Sequence, residues 1–137
     1  MHPLNSTQGV MICAILLGVV DALNAATAGG DLQRMEGKDI ANRLAGMEFT
    51  DEVHWAFAFS GDGALLIKSM GRKATGRWRI EKDALCLDRP TNRPTATPTG
   101  EWHCYEVWVS SGHQVQLRAT EAAGVYDEGV LRKTPTP

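Results

Sequence analysis

The chain has 137 residues, a formal net charge of −2 and 22% charged residues. This length suits one ordinary domain, and the charge lacks the basic excess that is typical of nucleic-acid-binding proteins. An apolar content of 43% is that of a globular domain, so we expect the bulk of the chain to fold.

The N-terminus has the pattern of an export signal. Residues 10–20 form an uninterrupted apolar run, which is shorter than the roughly 20 residues of a bilayer span. Ala26 and Ala28 then stand at the spacing that signal peptidases read, which predicts cleavage before Gly29. The alternative is a buried N-terminal helix of a cytosolic protein, because Lys and Arg are missing from the first residues. Cys13 lies inside the apolar run and would leave with the signal peptide (1–28).

Cleavage would leave three segments: a spacer (29–37), a single domain (38–133) and a frayed tail (134–137). The domain begins with a short helix, because Ile40 and Leu44 stand at helical spacing. Gly46 follows where a left-handed C-terminal cap is expected.

Beyond Gly46 the apolar residues recur with a period of two. The predicted strand-like runs are VHWAFAF, ALLIKSM, GRWRI, ALCLD, WHCYEVWVS, QVQLRAT and a last run near 125–131. Turns are expected at 60–63 and 71–75, and a Pro- and Thr-rich loop at 89–101. Short strands without helical crossovers predict a mostly β fold, a small antiparallel up-and-down (lipocalin-like) barrel of six to eight strands. The alternative is a half-open sheet with the helix across it.

Two cysteines, Cys86 and Cys104, remain in the mature chain. If Leu85 and Leu87 face the core, Cys86 points outward, and the alternation of the later strand also points Cys104 outward. An even cysteine count in a small exported domain favours a disulfide between them. Closing a loop of this length would stabilise the fold by about 3 kcal/mol.

No residue pattern indicates a metal site, a cofactor or catalysis. The chain contains no C-x-x-C motif, and His103 and Cys104 are adjacent on a strand, so their side chains point to opposite faces. An enzyme would require a cavity that gathers His54, His103 or Glu106. We therefore expect no metal, no cofactor and no enzymatic activity.

Two tryptophans fall on the outward face in this register. Trp102 and Trp108 would form an apolar surface framed by Arg77, Arg79 and Glu106, and such surfaces often mark contact sites. The alternative is that the N-terminal helix packs over the tryptophans and covers them.

Across residues 44–105 the chain reads LAGMEF, FAFSGDG, GRWRIEKDALCL and CYEVW. This layout resembles small exported bacterial proteins of domain-of-unknown-function families, and the resemblance implies a compact periplasmic β-rich domain without an assigned activity. The chain is also similar to the small one-disulfide barrels that bacteria export as inhibitors of their own metalloproteases. That similarity implies that residues 29–37 could project as an inhibitory arm.

These observations predict a periplasmic or secreted, non-enzymatic binding module for an envelope protein or a small ligand. We expect no nucleic-acid partner and no stable membrane span after signal cleavage. The first alternative function is protease or hydrolase inhibition through the arm or the Pro/Thr loop, and the second is a cryptic enzyme.

Overall fold

A computed structural model describes residues 31–90, 98–124 and 126–136. The predicted signal peptide (1–28), its cleavage site and Cys13 lie outside the described residues. Within these three ranges, no helix is long and apolar enough to cross a membrane.

The fold is a closed barrel with one short helix. In chain order the elements are β1 (Gln33–Arg34), α1 (Gly37–Leu44), β2 (Met47–Thr50), β3 (Trp55–Phe59), β4 (Ala64–Ser69), β5 (Arg72–Glu81), β6 (Ala84–Asp88), β7 (Trp102–Val109), β8 (Gln114–Ala119) and β9 (Tyr126–Lys133). From β2 to β9 every strand pairs antiparallel with its sequence neighbour, and β9 also pairs with β2. This closure confirms the predicted small up-and-down barrel with one N-terminal helix. The short β1 lies beside the end of β7, beyond the point where β6 stops.

The prediction that the strand-like run VHWAFAF begins at Val53 is wrong. Val53 is 79% exposed and lies in the turn between β2 and β3. The Oδ1 atom of Asp51 accepts hydrogen bonds from the backbone N–H groups of Val53, His54 and Trp55. An Asp side chain that binds backbone donors in this way folds the segment locally, and here it overrides the alternating pattern.

The predicted turn at 71–75 is also wrong, because residues 72–75 belong to β5. Only Met70 and Gly71 turn the chain, with φ values of 49° and 77°. Two central residues of positive φ are what a two-residue type I′ hairpin turn requires, so both flanking strands continue up to the turn. β2, which was not predicted, supplies the edge that β9 needs to close the barrel.

The barrel interior is packed with apolar side chains. Alternate residues of the strands point inward, and the buried cluster comprises Phe49, Phe57, Phe59, Leu65, Ile67, Trp78, Leu85, Leu87, Tyr105, Val107, Val115, Leu117 and Leu131, with Ile40 and Leu44 from α1. Trp78 also satisfies its polar group, because its Nε1–H donates to the Ser60 carbonyl at 2.8 Å. Large interior side chains are expected in a small eight-stranded barrel.

The helix α1 closes one end of the barrel. Its Ile40 and Leu44 are buried in the core cluster, and the backbone N–H of Gly37 donates to Asp83 Oδ1 at 2.9 Å. A Cβ atom at Gly37 would collide with the Lys82 carbonyl, so only glycine lets the helix approach this closely. Gly46 has a φ of 78°, which confirms the predicted left-handed conformation after the helix, and its N–H donates to the Phe59 carbonyl of β3.

Arg89 occupies the other end of the barrel. Arg89 follows β6, and its Nη2 donates to the Tyr105 hydroxyl at 2.8 Å. Its guanidinium carbon lies 5.2 Å from the ring centroid of Phe57 and 5.7 Å from that of Tyr105. Asp127 lies 3.9 Å from Nη1 and provides the opposite charge. This stacked cation covers the aromatic layer at the end remote from α1.

Candidate binding surface on the outer face of the barrel

The five residues predicted as a binding surface share one face. Arg77 and Arg79 on β5, and Trp102, Glu106 and Trp108 on β7, occupy positions that alternate with the buried residues of their strands. We call these five residues the outer tryptophan surface. β6 lies between the two strands, so the cross-strand register decides which of the five meet.

The disulfide predicted between Cys86 and Cys104 is confirmed. The two residues are direct partners of β6 and β7, with a Cα–Cα distance of 4.0 Å and an S–S distance of 2.01 Å. The register also points both side chains away from the barrel interior, as predicted. Cys86 is nevertheless fully buried, and Oε2 of Glu81 lies 3.5 Å from its Sγ atom. The bond therefore links β6 to β7 on the face that carries the outer tryptophan surface.

The same region holds the one cluster of potential metal ligands found among residues 31–90, 98–124 and 126–136, namely Glu81, Cys86 and Cys104. The cysteine sulfurs are bonded to each other, whereas zinc binding requires thiolates. His103 pairs with Leu87 and so points to the face opposite Cys104. The geometry offers no argument for a metal in the oxidised protein.

Trp102 lies against two guanidinium groups. The guanidinium carbon of Arg79 is 4.0 Å from the ring centroid, and that of Arg77 is 5.2 Å away. Each arginine is oriented by a carboxylate, because Arg77 Nη2 is 2.6 Å from Asp88 Oδ2 and Arg79 Nη2 is 2.6 Å from Glu81 Oε1. The indole is therefore held in place by charged side chains that are themselves about half exposed.

Asp88 is the buried anchor of this arrangement. Its side chain is completely inaccessible to solvent, and its carboxylate accepts bonds from Arg77 Nη2, from the N–H and hydroxyl of Thr99, and from the N–H of Gly100. Burial alone would raise the pKa of Asp88, but the hydrogen bond from Arg77 and the two backbone donors outweigh burial and lower this pKa below its ordinary value. An ionised carboxylate thus joins β5 to the segment that leads into β7.

Trp108 forms a second cluster near the other end of β7. Its Nε1–H donates to Glu106 Oε2 at 3.1 Å, and the other carboxylate oxygen lies 3.3 Å from Arg34 Nη2. The guanidinium carbon of Arg118 is 4.2 Å from the Trp108 ring centroid. Both tryptophans are thus partly buried by flanking arginines and keep part of their surface in solvent.

Two further arginines, Arg34 and Arg118, belong to these contacts and were not predicted. Arg118 stands directly opposite Glu106 in the β7–β8 pair, and the short turn between these strands carried enough information to place it there. Arg34 belongs to a two-residue strand that is paired with Trp108. No periodicity can be read from two residues, so its position had no signal in the sequence.

The alternative, in which the helix covers the tryptophans, is wrong. Its apolar residues Ile40 and Leu44 pack into the barrel core instead. The physical reason is that the open end of the barrel offers them an apolar surface, whereas charged side chains already surround Trp102 and Trp108.

The structure does not gather the three residues that an enzyme would have needed. His54 lies in the β2–β3 turn, where its Nδ1 is 2.8 Å from Asp51 Oδ2. Burial would raise the pKa of Asp51, but the backbone hydrogen bonds of Trp55 and His54, together with the imidazole, lower it well below its usual range. His103 and Glu106 lie on opposite faces of β7. The Asp51–His54 pair therefore has the local role of shaping a turn.

The chain was compared with models of protein families, with curated proteins and with solved structures, and none of the three comparisons finds a match.

Proposed function

We propose that this protein is an exported, non-enzymatic binding module that contacts a protein of the cell envelope through the outer tryptophan surface. The observation that carries the proposal is Trp102 in contact with both Arg77 and Arg79 on a face that remains open to solvent. Trp and Arg are the residues most enriched among those that dominate binding energy in protein interfaces.

Rigidity of this surface supports the proposal. The Cys86–Cys104 bond lies on the same face, with Cys104 between Trp102 and Glu106 on β7, and ion pairs fix both arginines before any partner arrives. Binding then immobilises few side chains, which lowers the entropic cost of association. Each guanidinium has five N–H donors, more than its single ion pair requires, so a partner with carboxylates or carbonyls can bind the rim while its apolar groups contact the indoles.

The packed interior directs the proposal to the outside of the barrel. In lipocalins and comparable barrels, a small ligand enters an open interior, whereas here aromatic and aliphatic side chains occupy the interior positions. We therefore propose that the barrel is lipocalin-like in its strand arrangement only, and that it binds its partner at the outer surface.

Export to the periplasm or the exterior belongs to the same proposal. The disulfide is compatible with an oxidising compartment, and the N-terminal apolar run is typical of a signal peptide. Protease inhibition through residues 29–37 stays a prediction of lower rank. Gln33 and Arg34 pair with β7, and the N–H of Met35 donates to the Val107 carbonyl, so this part of the arm is attached to the barrel.

The test uses the mature protein as bait for envelope extract, followed by affinity measurements with the captured partner after its purification. We expect the double variant Trp102→Ala/Trp108→Ala to lose at least about 2 kcal/mol of binding free energy, as hot-spot truncations do. The matched control is Val53→Ala/Met70→Ala, which removes two exposed apolar side chains from hairpin turns at one end of the barrel. This control should bind with unchanged affinity.

Two outcomes contradict the proposal. One is binding by the tryptophan variant that equals wild type while its circular dichroism shows a folded barrel. The other is an equal loss of affinity in the control variant, since this would place the contact at the hairpin turns.

A further inference from the structure

A cavity of about 340 Å³ lies on the outside of the β4–β5 hairpin. It is lined by Leu66, Ile67, Lys68, Lys73, Ala74 and Thr75. Its volume is at the lower end of the range for small-molecule sites. It belongs to a different part of the hairpin from Arg77 and Arg79, which hold Trp102.

The strand register brings two lysines together at this cavity. Lys68 and Lys73 are direct cross-strand partners, and Leu66 pairs with Thr75 two positions further along the ladder. These four side chains point away from the barrel, because the alternate residues Leu65 and Ile67 are buried in the core. One side of the cavity is therefore cationic and the adjacent side is apolar.

The positive charge at this position is uncompensated. Like charges directly opposite each other across a β ladder are destabilising, and Lys68 and Lys73 form such a pair. Among the residues that the structure describes, the ion pairs involve other cations and none includes Lys68, Arg72 or Lys73. An anion placed between the two ammonium groups would remove this repulsion.

The same hairpin exposes large apolar side chains to solvent. Leu66 is 51% exposed, and Met70, in the turn of the same hairpin, is 74% exposed. Together with the alkyl stems of Lys68 and Lys73, Leu66 offers an apolar surface in the cavity. An alkyl chain lying on this surface would remove it from water at a gain of about 0.8 kcal/mol per buried methylene.

We propose that this cavity binds an anionic amphiphile with a single alkyl chain, either free or as a lipid in a membrane. The phosphate or carboxylate head lies between Lys68 and Lys73, and the chain lies against Leu66 and the alkyl stems of the two lysines. Lysine presents a compact charge without the bidentate geometry of arginine, so the site selects an anionic head by charge rather than by shape. This site acts independently of the outer tryptophan surface.

The test titrates ¹⁵N-labelled mature protein with dodecyl phosphate below its micelle concentration, with dodecanol as the uncharged probe of equal chain length. We expect saturable shifts of the amide signals of residues 66–68 and 73–75 with dodecyl phosphate. Binding of dodecanol should be weaker by about tenfold or more, since it lacks the charge-assisted contacts. In a second arm, sedimentation with phosphatidylglycerol vesicles reports whether the protein also takes this chemistry from a membrane.

The matched variants remove the same charge at the two ends of the barrel. Lys68→Gln/Lys73→Gln should weaken dodecyl phosphate binding by about tenfold, and it should unfold at the same or a higher temperature because the repulsion has been removed. Lys38→Gln/Lys133→Gln, at the helix-covered end, should bind as wild type does.

Three outcomes overturn the proposal: the absence of both saturable amide shifts and sedimentation with vesicles, equal binding of dodecanol, or equal weakening in the two lysine variants. Binding to vesicles alone supports a membrane source, and binding of the free probe alone supports a soluble ligand. Trp102→Ala should leave the titration unchanged, so the two proposals can fail separately.

Discussion

The substitution Asp88→Asn, which replaces one carboxylate oxygen by an NH₂ group, should be strongly destabilising for this barrel. The carboxylate is fully buried, and each oxygen accepts two hydrogen bonds. An amide group in its place turns one acceptor into a donor, so that two of the four bonds are lost and the new NH₂ faces other donors. If the NH₂ replaces Oδ2, the bonds from Arg77 and Gly100 are the two lost.

The expected loss in the free energy of unfolding follows from the hydrogen-bond partners of Asp88. A hydrogen bond that involves a charged group contributes about 1.5–3 kcal/mol. Arg77 is about half exposed and regains water when its partner is changed, so we use the lower end of this range. For two lost bonds we expect a loss of about 3 kcal/mol in the free energy of unfolding at neutral pH.

The pH dependence provides the sharper test. Because the folded-state pKa of Asp88 is lowered, its contribution is fully present above the unfolded-state pKa of about 3.9 and is lost as the pH falls through the folded-state pKa. Below about pH 3.9, the advantage of wild type over Asp88→Asn should shrink by about 1.4 kcal/mol per pH unit until that lower pKa is reached. Asp51 also has a lowered pKa, but it is present in both proteins and cancels in the comparison.

Urea unfolding followed by tryptophan fluorescence at pH 7 and at pH 2.5 measures both quantities. The control is Glu101→Gln, an exposed carboxylate near the same loop, which should change stability by less than about 0.5 kcal/mol. A stability difference that is equally large at both pH values would refute the reasoning, because it would show that the shape of Asp88 matters and its ionisation does not.

Three further predictions concern the covalent and backbone constraints. Replacing both Cys86 and Cys104 by Ala should lower the free energy of unfolding by about 3 kcal/mol, measured by urea unfolding. Chemical reduction of the wild-type protein should give a similar loss. A change below about 1 kcal/mol would contradict the loop-entropy argument. Gly37→Ala should lower the melting temperature because of the Lys82 carbonyl, although helix propensity alone favours Ala by about 1 kcal/mol; a higher melting temperature would show that the helix is not tightly docked. Gly46→Ala should cost about 1 kcal/mol because its φ is 78°, whereas Gly46→Asn should cost less; equal effects of Ala and Asn in calorimetry would count against a left-handed cap.

The sequence was sufficient for the strand content and for the disulfide. Inward residues such as Leu85 and Leu87 alternate with outward ones, and this period places Cys86 and Cys104 on one side of neighbouring strands. The prediction of strands from this period failed where a side chain binds the neighbouring backbone. Asp51 draws the N–H groups of the next residues around its carboxylate, so Val53 leaves the strand despite its favourable pattern.

The outer tryptophan surface was likewise predicted in part: the sequence indicated its residues but not their contacts. Its five residues were predicted from the alternation of β5 and β7, which depends only on near neighbours in the chain. Its contacts were not predicted, because Arg79 reaches Trp102 across β6. Arg34 comes from β1, an element too short to have any period.

By itself the amino-acid sequence determined that the chain alternates apolar and polar residues, turns often and carries two cysteines that can meet. Those properties are local, since a strand period and a turn depend on a few consecutive residues. Tertiary structure alone decided that β9 returns to β2, that α1 packs into the end of the barrel and that Lys68 faces Lys73 outside it. Each of these depends on the register and curvature of the whole closed sheet. A shift of one residue in the pairing of a strand would move all of its side chains to the opposite face.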